Sequence, residues 1–247
     1  MFCENLNKMK QAIKNFIRGM GYDLHKASSS PIFQLGQSLR VHDIDLILDI
    51  GANVGQFAKG LREIGYKGRI VSFEPLVDAH HILSQTARGA AGWAVHERCA
   101  IGDRIGTTQI NVSANSVSSS VLPMLQSHSE AAPKSVFTRT EETPIQTVDS
   151  IADRYMTASN LTLIKIDTQG FEWQVLDGAA ETLKRAKGVM VELSLVQLYF
   201  GQRLWQDIIV RLETQGFDLW SLNPAFVDPQ DGRMLQLDGL FFKKNSA

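Results

Sequence analysis

The stretch Leu46-Ile47-Leu48-Asp49-Ile50-Gly51-Ala52-Asn53-Val54-Gly55-Gln56-Phe57 reads as a buried strand, a glycine turn and the start of a helix. A short continuous apolar run bounded by a turn is the pattern of a strand covered on both faces. Gly51 allows a sharp turn and a close approach to the backbone that a Cβ would obstruct. In an open α/β sheet, ligands bind outside the carboxyl ends of the strands, where this turn lies. A second apolar run, Arg69-Ile70-Val71-Ser72-Phe73-Glu74-Pro75, ends in a carboxylate 25 positions after Asp49. That is near the spacing at which an acid accepts hydrogen bonds from a ribose.

The glycines discriminate among nucleotide-like ligands. A dinucleotide fingerprint reads G-x-G-x-x-G, its middle glycine making room for a pyrophosphate. Asn53 occupies that middle position here. A ligand with a ribose but no phosphate, such as S-adenosylmethionine, suits the turn better. The amides at the start of the following helix are expected to face its polar end.

Working outward, strands are expected near 46–50, 70–73, 93–98, 161–166, 189–193, 217–222 and 237–243, and clear helices over 54–64, 171–186 and 203–215. This alternation predicts an α/β fold with a mostly parallel seven-stranded sheet and helices on both faces. The turn Asp228-Pro229-Gln230-Asp231-Gly232 predicts a hairpin, hence an antiparallel edge strand. Leu6, Met9, Ile13, Phe16, Ile17 and Met20 recur at helical spacing, so the first twenty residues form an amphipathic helix, expected to pack on the domain. A short helix is expected over Ile32–Arg40. The chain thus divides into a helical segment at 1–45 and a main domain at 46–247. Within it, 111–147 is rich in serine and proline and lacks sustained periodicity, and it is expected to be a substrate-facing insertion.

Composition narrows the partners. Lys+Arg 25 against Asp+Glu 26 gives no basic surplus of the kind nucleic-acid binding uses, so no nucleic-acid partner is expected. No apolar run reaches the roughly 20 residues that span a bilayer, and the first residues lack the apolar core of a secretion signal. The two cysteines, Cys3 and Cys99, build neither a disulfide framework nor a cysteine-rich metal site. A cytoplasmic location is expected.

Five motifs then follow in order: Asp49-Ile50-Gly51-Ala52-Asn53-x-Gly55, Phe73-Glu74-Pro75, Cys99-Ala100-Ile101-Gly102-Asp103, Ser118-Ser119-Ser120-x-Leu122-Pro123 and Lys165-Ile166-Asp167-x-x-Gly170-Phe171-Glu172. Together they cover roughly 45–195 and resemble the FkbM-type methyltransferases of the class I superfamily. The resemblance implies a Rossmann-like fold and S-adenosylmethionine-dependent O-methylation of a sugar, glycolipid or polyketide-type natural product. One departure is plain. Thr168-Gln169 stands where the family commonly shows Val-Glu, so an acid is missing at 169.

The resemblance and the turn chemistry together nominate Asp49, Gly51, Asn53, Gly55 and Asp167 for the methionine end of the cofactor and Glu74 for the ribose. Pro75, Leu76, Cys99, Ala100 and Ile101 are nominated for the adenosine, and Ser119, Ser120, His128 and Glu172 for the acceptor. Proton removal from a hydroxyl calls for a base, so His128, Asp167 and Glu192 are the catalytic candidates. No spacing demands a metal, although the carboxylates suit Mg²⁺. Two alternatives stay open: a cofactor-binding protein without catalysis, and a nucleic-acid methyltransferase suggested by Asn223-Pro224-Ala225-Phe226.

Overall fold

The computed structural model describes residues 2–22 and 26–244, with the side chains of residues 2–8 and 27 left out, so Cys3 and Leu6 lie outside the described side chains. After helices α1 (Phe2–Gly19) and α2 (Pro31–Val41), strand β1 (Leu46–Ile50) opens the sheet and the Gly51 turn leads into α3 (Gln56–Glu63). Then come β2 (Arg69–Phe73), α4 (Val77–Ala87), β3 (Trp93–Val95), β4 (Ala100–Ile101), β5 (Gly106–Ser113), α5 (Gln126–Ala131), β6 (Phe137–Gln146) and α6 (Val148–Ile151). The second half holds β7 (Thr162–Ile166), α7 (Glu172–Asp177), α8 (Ala180–Arg185), β8 (Gly188–Ser194), α9 (Trp205–Thr214), β9 (Phe217–Val227) and β10 (Met234–Lys243).

Seven strands form one sheet in the order β3-β2-β1-β7-β8-β10-β9. The pairs β2–β3, β1–β2, β1–β7 and β7–β8 are parallel. β10 runs antiparallel to both β8 and β9, which supplies the antiparallel pairing expected at that edge. All five residues of β1 and of β7 are buried, as strands covered on both faces require. Side-chain alternation sorts the core into two layers. Leu46, Leu48, Ile50, Ile164 and Ile166 pack with Val175, Leu183 and Leu212 on one face. Ile47, Ile70 and Leu163 pack with Leu35, Leu39, Leu61 and Leu83 on the other.

Register also builds the site. Asp49 lies opposite Ser72 on β2 and Lys165 on β7. Asp238 on β10 lies opposite Glu192 on β8. Polar groups far apart in sequence are thereby gathered at the carboxyl edge.

Four expectations need correcting. The strand expected over 93–98 stops at Val95. The helix expected over 171–186 is broken between α7 and α8. A Cβ on Gly178 would lie 1.9 Å from the Gly102 carbonyl oxygen, so backbone packs on backbone there and the helix gives way. The segment 111–147 is not irregular throughout: β5 and β6 pair antiparallel, and with β4 they form a three-stranded sheet beside the main one. Finally, α1 does not bury its apolar stripe, since Met9, Ile13, Phe16 and Met20 are all exposed. No helix among the described residues is long and apolar enough to cross a membrane.

Candidate functional site

A cavity of about 250 Å³ opens where β1, β2 and β7 end. Its lining mixes apolar residues, Pro75, Leu76, Ala100, Ile101, Ile110 and Val121, with polar ones, Asn53, Glu74, Lys165, Asp167, Gln169 and Asp238. The segment after β5 closes over it with Ser116, Val117 and Ser119.

The Gly51 turn is held from within. The N–H groups of Gly51 and Ala52 both donate to the Phe73 carbonyl, and Gly55 N–H donates to Ala52 O. Asn53 N–H donates to Glu74 Oε2 at 2.7 Å, and Val54 N–H donates to Asn53 Oδ1 at 2.9 Å. These amides are therefore spent on the loop, and the turn meets a ligand with side chains more than with its own N–H groups. Asn53 adopts φ 48°, a left-handed conformation that asparagine tolerates better than most residues.

Glu74 joins the two halves of this wall. Its Oε1 accepts from Leu76 N–H at 2.9 Å while Oε2 holds Asn53. Burial pushes its carboxyl up to about 7, despite the two backbone donors and Lys165 pulling the other way.

Lys165 is the buried cation of the site. Its Nζ lies 3.3 Å from Asp49 Oδ1 and 3.5 Å from Asp167 Oδ2, and donates to Gly51 O at 3.3 Å. Desolvation works against its charge, but the facing carboxylates of Asp167 and Asp49 win and hold its pKa above the usual lysine value. Asp49 also accepts from Ser72 Oγ at 3.0 Å. Breaking a buried ion pair by removing one partner costs about 3–5 kcal/mol, so Lys165→Met is expected to lower the unfolding midpoint strongly, read by calorimetry.

Beyond Asp167 the chain turns through Gln169 at φ 54°. The Gln169 amide Nε2 donates to Asp167 Oδ1 at 2.8 Å and to Glu192 Oε1 and Oε2 at 3.2 and 3.1 Å. Its Oε1 accepts from the Tyr199 hydroxyl at 3.0 Å. Gln236 Nε2 donates to Glu192 Oε2 at 2.6 Å from the other side. Burial raises the Glu192 carboxyl, and Asp167, Glu172 and Asp238 add to the rise.

The structure brings Gly51, Asn53, Glu74, Pro75, Leu76, Ala100, Ile101, Ser119 and Asp167 onto the cavity wall. It leaves other nominated residues behind it. Asp49 is buried beneath Lys165, and Cys99 is part of the core. Gly55 packs against Trp93 and Leu83. Ser120 Oγ donates to Gln169 O at 2.6 Å and orders the turn. Glu172 accepts from Thr168 N–H at 2.9 Å and Gly170 N–H at 3.0 Å, and so caps that turn from below. Glu192 touches the site through Gln169.

His128 is the clearest departure. It is 2% exposed and packs edge-on to Tyr199 at 5.1 Å between ring centres, with Phe226 at 5.7 Å. Burial pushes its pKa down to about 4, and it does not line the cavity. Its apolar surroundings come from segments remote in sequence, so residue type alone pointed the wrong way. Phe226 of the Asn223-Pro224-Ala225-Phe226 motif is one of those neighbours, within β9.

Sequence reasoning missed Lys165 as a wall residue, and with it Phe57, Gln169, Met190 and Asp238. The signal for Lys165 was a charge inside an otherwise apolar strand. Asp238 carried no local signal. Burial pushes its carboxyl up to about 6, and with Phe57 and Met190 it also lines a smaller cavity of about 190 Å³ against Pro31, Ile32 and Leu35.

A pH dependence follows. Below about 4.5 the Glu74 carboxyl is protonated whether the chain is folded or not. Between there and about 7 the folded protein keeps a proton that the unfolded chain has released. Stability attributable to this group therefore falls as pH rises through that window, and Glu172 and Glu192, also raised by burial, act in the same sense. Urea unfolding across pH 5–8 is expected to show this decline, with a shallower slope in Glu74→Gln.

The cavity suits S-adenosylmethionine by the chemistry of its donors. The apolar lining would suit an adenine, Glu74 could accept from ribose hydroxyls, and Lys165 offers a cation to the carboxylate of an amino-acid end. No group of three or more His, Cys, Asp or Glu side chains able to hold a metal occurs among the described residues.

Comparison with known proteins places the chain in a family. The model of the methyltransferase FkbM domain matches residues 49–219, well over half of the chain. No curated protein matches significantly. Similar solved structures include an rRNA methylase from Streptococcus thermophilus, at 10% identity and TM-score 0.47 over 89% of this chain and 100% of that one. Precorrin-6y C5,15-methyltransferase from Geobacter metallireducens GS-15 aligns at 13% identity and TM-score 0.45 over 90% and 93%. The chain thus belongs to the FkbM family of S-adenosylmethionine-dependent methyltransferases.

Proposed function

We propose that the protein transfers a methyl group to a hydroxyl of a sugar, glycolipid or polyketide-type natural product, and that Asp167 accepts the departing proton. The observation that carries the role of Asp167 is its placement. Its side chain is 36% exposed on the cavity wall, whereas Glu172 and Glu192 are buried behind it. Bound S-adenosylmethionine supplies an electrophilic methyl on a sulfonium. The acceptor oxygen takes the methyl as the carbon–sulfur bond breaks, leaving the cofactor as its neutral thioether, and the acceptor's proton passes to Asp167 and then to water. Lys165 and Gln169 fix the carboxylate from two sides, so its orientation is set before the acceptor arrives. Asp238, also on the cavity wall, is suited to accept a hydrogen bond from a second acceptor hydroxyl. Ser116, Val117 and Ser119, from the 111–147 insertion, would meet the acceptor, while α2 of the 1–45 segment is joined to the domain through Leu35 and Leu39 in the core.

No divalent cation is needed in this reading. The space between Asp167 and Glu192 is filled by the Gln169 amide, a hydrogen-bond donor that already satisfies both carboxylates. Turnover is expected to be unchanged by EDTA; a loss restored by Mg²⁺ would refute that.

The reading is tested by labelled methyl transfer from S-adenosylmethionine to a panel of glycosides, glycolipids and polyketide alcohols, with RNA as the control. Label in an alkali-stable ether supports it. Label in RNA alone, or cofactor binding without transfer to any hydroxyl, overturns it.

A further inference from the structure

We infer that α1 is a membrane-surface helix that docks the enzyme on an anionic lipid bilayer. Met9, Ile13, Phe16 and Met20 are spaced by four, three and four residues and so share one face along α1 and the turn that ends it. Their exposures are 54%, 46%, 69% and 54%. A row of large apolar side chains open to water is an unsatisfied surface, each worth burying.

Charge identifies what covers it. Phe2–Gly19 carries Lys8, Lys10, Lys14 and Arg18 against Glu4 alone, in a chain whose net charge is −1, so the remainder is net acidic. Lys10 and Lys14 are four residues apart and run along one flank of the apolar face, with Gln11 and Asn15, hydrogen-bonded at 3.1 Å, farther round. An apolar stripe bordered by cations is the form of helix that lies in a headgroup layer with its apolar face in the acyl boundary. The cations favour anionic lipid over a neutral surface, and four large apolar side chains along one face match the acyl boundary beneath such headgroups.

The test uses sedimentation of the full chain with vesicles of phosphatidylcholine alone or mixed with phosphatidylglycerol. The protein is expected to sediment with the mixed vesicles and to be released by high salt, because surface potential is screened. Phe16→Asp is expected to weaken binding about tenfold or more, and Lys10→Ser with Lys14→Ser about 25-fold together, at about fivefold per cation. Binding of S-adenosylhomocysteine, measured in parallel, is expected to be unaltered in these variants, which shows that the domain is folded and keeps this test separate from that of the methyltransferase reading. Failure to sediment with mixed vesicles would overturn the inference. So would a dimer in light scattering that Phe16→Asp converts to a monomer, since a second copy would then be the occupant of the face.

Discussion

Asp167→Asn is expected to lower turnover by about 10³-fold while changing the Michaelis constant for the cofactor far less. The size is that of a positioned proton acceptor. Asparagine keeps the shape of the side chain and one acceptor oxygen for the Gln169 amide, giving up the Lys165 contact, so the larger part of the loss falls on proton transfer. Lys165 keeps Asp49 as its partner at 3.3 Å. Asp238→Asn is the informative companion. It lies on the same cavity wall with a carboxyl pushed up to about 6, and its replacement is expected to raise the Michaelis constant for the acceptor with a modest effect on turnover. Single-turnover kinetics of both variants decides the matter. A collapse of turnover in Asp238→Asn with a near-normal Asp167→Asn would transfer the role of base to Asp238.

Gly51→Ala is expected to destroy the site through the backbone. Gly51 has φ 77°, and a Cβ there would fall 1.8 Å from the Asp167 carbonyl oxygen. The colliding atom is main chain at the end of a central strand, so no flexible side chain can swing aside to relieve it. Left-handed strain alone costs about 1–2 kcal/mol, and the steric overlap forces β1 and β7 apart where Asp167 N–H donates to Ile50 O at 3.1 Å. The variant is expected to lose several degrees or more in unfolding midpoint and to lose cofactor binding outright. A stable Gly51→Ala protein with normal affinity would mean that the β1–β7 edge is not as close as described.

These two variants mark what local sequence reveals. The Gly51 turn and Glu74 were legible because each lies in a contiguous strand-turn pattern whose chemistry is carried by neighbours in sequence. Most of the parallel strands were legible for the same reason, each being a mainly apolar run interrupted by a single polar residue. β6 was not, since Phe137–Gln146 alternates threonine, arginine and glutamate with a proline at Pro144 and buries only Thr143 and Ile145. Its pairing with β5 depends on main chain rather than on an apolar face. The break between α7 and α8 depends on Gly178 meeting Gly102, a contact between segments about seventy-five positions apart.

The candidate site divides along the same line. Residues at the ends of β1, β2 and β7 were found because strand ends are predictable. Asp238 was missed because it enters the cavity only when β10 is laid between β8 and β9. His128 was favoured for its side chain and lost to burial against Tyr199 and Phe226. Gln169 was noted as a missing acid, and the structure gives that substitution a physical sense: its amide joins two carboxylates that a third would repel.

Titration of the protein with S-adenosylhomocysteine, followed by calorimetry and thermal unfolding with NADH as control, tests the cofactor assignment most directly. At about 100 times its dissociation constant the ligand adds about 2.7 kcal/mol of stability, which for a chain of this size raises the midpoint by about 5–10 °C. The account predicts that rise for S-adenosylhomocysteine alone, and its loss in Glu74→Ala. No shift, or a shift with NADH and none with S-adenosylhomocysteine, would contradict it.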